Sequence, residues 1–261
     1  MTNLPTITLE RDGHVLLMGL NRPEKRNAFN RAMLADLSLA YAELDADPEL
    51  RCGVVFAHGD HFTGGLDLVD VGPYLSKGGW QWPEAGIDFM GLDGRPVSKP
   101  IVMAIQGRCL TIGIEMALAA DIRVAADDAR FAQIEIKRGI VPFGGATVRF
   151  VRDCGWGNAM MHLLTGDEFD AAEAHRIGLV QEVVTVGRQL GRAREIAAEV
   201  ARQAPLGVYA SLRNARLAWR EGEAAAVAAL PAEIVAVSAS DDAREGLRSF
   251  VERRDGNFTG R

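Results

Sequence analysis

The sequence predicts an α/β fold in which strands and helices alternate over the first two-thirds, with helices alone after that. Three observations carry this reading. Cys52 to Ala57 and Ile101 to Ile105 are unbroken apolar runs containing β-branched residues, the pattern of strands buried on both faces. Met33, Leu34, Leu37, Tyr41 and Leu44 recur at three- and four-residue steps, as one face of an amphipathic helix does. After Val183 the strand signals stop, and the rest of the chain reads as helix after helix.

Taken in order, Thr6 to Leu9 and His14 to Leu20 form a hairpin across the turn dipeptide Asp12-Gly13. The first helix starts near Asn30 and is closed by Asp47-Pro48. The strand Cys52 to Ala57 follows. Residues 72–97 are irregular, with Gly78, Gly79, Pro83, Gly86 and Gly94 among Trp80, Trp82 and Phe89. A loop this long inside a compact domain is usually functional or mobile. Its aromatics fit a pocket for an apolar ligand and satellite packing equally well. The strand Ile101 to Ile105 precedes a buried helix over Thr111 to Ala120 and strands over Ile122 to Ala125 and Arg130 to Gln133. Helices are expected over Arg188 to Gln203, Leu206 to Arg220, Glu223 to Ala239 and Asp242 to Arg253. A boundary near residue 200 divides a strand-and-helix core (1–200) from a helical C-terminal region (201–261).

Composition narrows the partners. Of 261 residues, 48% are hydrophobic and 25% charged, as in an ordinary globular protein. Twenty-nine basic against thirty-five acidic side chains give a formal charge of −6, which disfavours nucleic acid and anionic membranes as partners. Met1 to Glu10 has no basic segment followed by an apolar one, so no secretory signal is expected. Cys52, Cys109 and Cys154 are widely spaced and odd in number, which predicts a reducing compartment, read here as the cytoplasm.

Glu115 is the most informative residue. It sits in the run from Ile112 to Ala120, where every neighbour is apolar or small, so its helix cannot simply turn it to water. Desolvation of that carboxylate raises its pKa, the property wanted in an acid–base group. The competing reading is a structural carboxylate paired with Arg108 or Arg123. Glu135 lies twenty residues later, just after a predicted strand, where residues of α/β folds commonly face clefts. Alone it reads as a solvated loop acid beside Lys137 and Arg138. As a pair, two carboxylates in different environments can divide proton transfers between them.

Two glycine-rich turns complement the pair. Phe62-Thr63-Gly64-Gly65-Leu66-Asp67-Leu68 follows the strand Cys52 to Ala57, and Ile112-Gly113 opens the helix of Glu115. Helix starts leave backbone N–H groups unpaired, and two such donors converging on a carbonyl oxygen form an oxyanion hole. Generic turn glycines explain the spacing as well. His58, Asp60 and His61 cluster like metal ligands, but cysteine partners at zinc-site spacing are missing and a polar loop fits better. Dinucleotide, P-loop and nucleophile-elbow fingerprints are absent.

These segments together resemble the crotonase superfamily, the enoyl-CoA hydratase/isomerase family. The likeness rests on Leu20-Asn21-Arg22-Pro23-Glu24-Lys25-Arg26-Asn27-Ala28, on Phe62 to Leu68, on Pro100 to Asp121, and on Phe131 to Gly145. The ending Phe250 to Arg261 is similar to the family tail F-x-E-[KR]-R-x-x-x-F-x-G-R. The resemblance implies a crotonase-like spiral core of repeated ββα units with a C-terminal helical region that builds homotrimers or homohexamers. It implies an enoyl-CoA substrate and no cofactor, because CoA is part of that substrate. The N–H groups of Leu66 and Ile112 would polarise the thioester carbonyl, Glu115 would orient and deprotonate water, and Glu135 would exchange the α-proton. Arg22, Lys25, Arg26, Ala28, Gly64, Gly65, Asp67, Leu68, Gly113 and Phe258 would contact the CoA thioester. Two positions depart from the family pattern. The second turn, usually a run of glycines, reads Leu110-Thr111-Ile112-Gly113-Ile114, and Ile134 stands where hydratases often have proline. Hydration is the leading expectation, with double-bond isomerisation or another acyl-CoA transformation of the superfamily, and non-catalytic acyl-CoA binding, as the alternatives.

Overall fold

The computed structural model describes residues 4–75, 77, 78 and 81–261. Gly79 and Trp80 of the predicted loop lie outside the described residues.

The chain opens with strand β1 (Ile7–Asp12) and β2 (Val15–Leu20), a hairpin in full antiparallel register from Ile7↔Leu20 to Asp12↔Val15. The turn is Gly13-His14, one residue later than the expected Asp12-Gly13, because the polar residues Glu10 to Asp12 still pair as an exposed edge. A 3₁₀ turn over Pro23–Lys25 leads to helix α1 (Arg31–Ala46). Asn30 caps that helix, its side chain accepting from the Met33 N–H at 2.9 Å. Strand β3 (Cys52–Ala57) follows, then α2 (Leu68–Leu75), β4 (Ile101–Ile105) and β5 (Arg108–Leu110). Helix α3 (Ile112–Ala119), β6 (Ile122–Ala126) and β7 (Arg130–Ala132) complete two repeats of the ββα plan. A 3₁₀ turn over Glu135–Arg138 precedes α4 (Ala146–Cys154), α5 (Trp156–Thr165), β8 (Phe169–Asp170), α6 (Ala171–Arg176) and β9 (Glu182–Val184). Four helices end the chain: α7 (Gln189–Arg202), α8 (Pro205–Glu221), α9 (Glu223–Ser238) and α10 (Asp241–Glu252).

The strands divide between two sheets. The larger runs β1-β2-β3-β4-β6-β9, antiparallel only at β1, and the smaller runs β5-β7-β8. Each consecutive pair β4–β5 and β6–β7 contributes one strand to each sheet, so the chain winds as a spiral.

Strand burial follows the period of two. Leu16, Met18 and Leu20 face the main core with Phe29, Leu34 and Leu37 of the α1 side. Val15, Leu17, Cys52 and Val54 face the other way, onto Ala193, Ala197 and Ala201 of α7. Alanines on that face let α7 approach the sheet closely. Phe89 joins the main core, with ring centroids 5.3 Å from Trp82 and 5.9 Å from Tyr41, so these two aromatics pack rather than stand free. Among the described residues no single helix is long and apolar enough to cross a membrane.

Candidate active site

The smaller sheet positions the site. Isolated bridges pair Thr63 with Cys109 of β5 and Phe29 with Leu66, extending that sheet through the turn after β3. Asn27, fully buried, fastens the loop of Arg22 to Ala28 to the same turn. Its amide donates to the carbonyls of His58 (2.9 Å) and His61 (2.8 Å), and its Oδ1 accepts from the Arg22 N–H (2.8 Å). The Thr63 hydroxyl donates to the Asn27 carbonyl at 2.7 Å.

Gly64-Gly65-Leu66 and Leu110-Thr111-Ile112 therefore run side by side. The Leu110 N–H donates to the Thr63 carbonyl at 3.1 Å, and a Cβ added to Gly65 would lie 2.5 Å from Thr111 Oγ1. Gly65 has φ +100°, a region that favours glycine. Among the described residues the N–H groups of Leu66 and Ile112 find no backbone acceptor, and Ile112 is the first residue of α3, where no intrahelical acceptor exists. Gly113 is packed on Thr63 and Cys109 behind that turn.

Glu115 lies one turn into α3 and is 3% exposed. Neither Arg108 nor Arg123 pairs with it. Arg123 instead meets Asp153 at 3.3 Å. The partners of Glu115 are backbone groups, the N–H of Gly144 at 2.6 Å and of Ala146 at 3.3 Å, both donating to Oε1. Burial pushes its carboxyl up to about 7, against the pull of those two donors and of the nearby Arg149 charge. Any side chain on Gly144 would collide with Glu115 Oε2, so glycine there is a steric requirement of the carboxylate.

Glu135 begins the 3₁₀ turn after β7 and is buried, not solvated beside Lys137 and Arg138. Burial pushes it up to about 7 as well, and the charge of Glu115 adds to the rise. Gln133, wholly buried, donates its amide to Glu135 Oε1 at 3.3 Å, while Glu135 Oε2 has no partner among the described residues. The negative charge of Glu115 thus makes the Glu135 carboxyl harder to ionise.

The remaining expected ligand residues divide into three groups. Arg22 is turned inward, donating to the Ala28 carbonyl and facing Asp67 at 3.5 Å, so it braces the loop. Lys25 and Arg26 are exposed on that loop, and Leu68 is exposed at the start of α2. Phe258 sits elsewhere. Its carbonyl accepts from Arg51 at 2.8 Å, and it lines a groove with Gly13 and His14, at the opposite ends of β2 and β3 from the turns of Leu66 and Ile112. Within one chain Phe258 does not meet the glutamates. Sequence reasoning passed over Asn27, Gln133, Thr111 and Gly144 as working residues; the pair Gly144-Gly145 was the visible signal for the last. The histidines near the turn serve locally: His58 shares a hydrogen bond with Thr8 at 2.8 Å, and His61 accepts from the Arg108 N–H at 3.3 Å. Among the described residues no group of three or more His, Cys, Asp or Glu is placed to hold a metal ion.

Known proteins resemble this chain over nearly its whole length. The sequence model of the enoyl-CoA hydratase/isomerase family matches residues 10–261. The enoyl-CoA hydratase EchA19 of Mycobacterium tuberculosis is 36% identical over 98% of this chain and 97% of its own length. A mevalonyl-coenzyme A hydratase of Aspergillus fumigatus is 34% identical over 92% of this chain and 90% of its own. The crystal structure of a probable enoyl-CoA hydratase/isomerase from Mycobacterium abscessus superposes with a TM-score of 0.97 at 52% identity, covering 99% of this chain and all of that one. The chain belongs to the enoyl-CoA hydratase/isomerase family, within the crotonase superfamily, and has its spiral fold.

Proposed function

We propose that the protein is an enoyl-CoA hydratase, a hydro-lyase that adds water reversibly across the α,β double bond of an enoyl-CoA thioester. The observation that carries this is the buried pair Glu115 and Glu135, both pushed up to about 7 by burial, with the charge of Glu115 adding to the rise at Glu135. At neutral pH such a pair holds one proton between two carboxyls, one ready base and one ready acid.

In the proposed step, the thioester oxygen lies against the N–H groups of Leu66 and Ile112. Ionised Glu115 takes a proton from water as its oxygen bonds to the β-carbon. The π electrons move toward the thioester, and protonated Glu135 delivers its proton to the α-carbon. Water and the enoyl thioester balance the reaction, and CoA enters as part of the substrate. Negative charge grows on the thioester oxygen in the transition state, where fixed dipoles act most strongly; losing one donor costs about 3 kcal/mol. Lys25 and Arg26, exposed beside the turn, suit the phosphates of CoA despite the net negative charge of the chain. One relative is named for enoyl-CoA and another for mevalonyl-coenzyme A, so the family does not by itself set the acyl chain.

A homotrimer or homohexamer is the assembly the family resemblance implies, and the surface supports self-association. Helices α9 and α10 leave Leu230, Ile234, Leu247 and Phe250 exposed, more large apolar side chains than a monomer usually leaves to water. The three cysteines are free and buried, which suits a reducing compartment such as the cytoplasm.

Mass spectrometry of products from a mixed acyl-CoA panel tests the function. Mass gain of one water on enoyl-CoAs is the expected result. Double-bond migration without hydroxyacyl product, surviving Glu115→Gln, would point to an isomerase. An unchanged panel would leave only acyl-CoA binding.

A further inference from the structure

Thr111 joins the two arms of the proposed oxyanion site, and its geometry is unusual. It has φ +50° and ψ −111°, a left-handed conformation that a β-branched residue rarely adopts. Its backbone is committed on both sides: the N–H donates to the Ala132 carbonyl at 3.0 Å, and its carbonyl accepts from Ile114 (2.9 Å) and Glu115 (3.2 Å). Its hydroxyl is buried with no hydrogen-bond partner among the described residues. That hydroxyl sits instead over Gly65, with Oγ1, Cβ and Cγ2 as the atoms nearest to where a Gly65 side chain would begin. Leu66 follows Gly65 and Ile112 follows Thr111, so this one contact lies between the two N–H donors.

Glycine would take this backbone conformation without strain. A strained β-branched residue with an unsatisfied buried hydroxyl persists only where something else holds it, and such residues gather at functional sites. Here the side chain fills the space between the two turns. We propose that Thr111 is a positioning residue: its Oγ1 contact with Gly65 sets the separation of the Leu66 and Ile112 N–H groups and so the fit of the thioester oxygen. The inference rests on the hydratase reading given above. The residue touches no reacting atom in this scheme; it acts through the two turns.

The test uses Thr111→Gly, Thr111→Ala and Thr111→Ser in the full-length protein. Serine keeps the Oγ atom against Gly65 and keeps kcat within about threefold of the parent, while glycine and alanine lower kcat about 10- to 100-fold with KM changed far less. Thr111→Gly also melts at or above the parent temperature, because the strain is gone. A carbonyl-labelled saturated acyl-CoA bound to each variant gives a second reading that needs no turnover. Its infrared carbonyl band shifts back toward the free-thioester frequency in the glycine and alanine variants and stays shifted in the serine variant. Glycine and alanine variants with parental kcat and an unmoved band would overturn the proposal, as would a serine variant as impaired as glycine. If the parent itself turns over no enoyl-CoA, the hydratase reading fails first, and the infrared band still decides the role of Thr111.

Discussion

Two glutamates with almost no solvent access behave in opposite ways in this molecule. Glu115 on α3 is enclosed by apolar and backbone groups, and its carboxyl is pushed up to about 7. Glu245 on α10 is covered mainly by charged arms. Arg254 at 2.5 Å, the N–H of Asn257 at 3.0 Å and Arg248 hold its carboxyl well below the usual carboxylate range. Low accessibility alone therefore says little about a carboxylate; what covers it decides. Guanidinium cover makes a permanent anion that anchors the tail. Apolar cover with backbone donors makes a group that can gain and lose a proton near neutrality, as catalysis requires.

Substitutions can break this contrast, and the largest effect belongs to the proposed catalytic pair. Glu115→Gln and Glu135→Gln should each lower kcat for hydration by about 100- to 10,000-fold in folded protein, measured by loss of the enoyl absorbance. Full activity in both would remove the assignment of roles.

A smaller effect separates the pair by stability. A carboxyl raised from 4.5 to about 7 favours the folded state fully below pH 4.5, and that contribution is lost as pH climbs through 7. Glu115→Gln, which never ionises, should thus gain roughly 1–3 kcal/mol over the parent at pH 8 and little at pH 5. Urea titrations at the two pH values measure it; equal gains at both would mean Glu115 titrates normally.

For Glu245 the sign reverses. Its lowered pKa contributes stability above pH 4.5 that fades as pH falls. Glu245→Gln should melt lower than the parent at pH 7, by a margin that narrows toward pH 3, with hydration rate per folded molecule unchanged. A margin independent of pH would show that the arginines add packing rather than charge pairing.

The contrast also bears on what the sequence made legible. Cys52–Ala57 and Ile101–Ile105 match their strands residue for residue, since both faces of each are buried and the apolar run is unbroken. The four terminal helices fall within two residues of expectation. Glu115 stood out because its helix is apolar all round. Helices α4, α5 and α6 went unread, and so did elements whose definition is tertiary. Strands β5 and β8 have three and two residues and are defined by their pairing with β7. Helix α2 carries Pro73 within an irregular stretch. Phe258 was expected at the substrate through its motif, yet the tail fastens to Asp242 through the N–H groups of Thr259 (2.7 Å) and Gly260 (2.9 Å), which holds it at the far end of the strands.

Helix α4 has no capping side chain of its own: Gly145 stands at its N-cap with φ +104°. The first N–H of that helix, on Ala146, and the N–H of Gly144 two residues before it are capped by Glu115 from another element. A proton on Glu115 is therefore also a proton on the start of α4. Protonation weakens the acceptor, and the first turn of α4 loosens with it. Each protonation of that carboxyl is in that sense a small fraying event about thirty residues downstream in sequence, and exchange of the Gly144 and Ala146 amides is its natural clock.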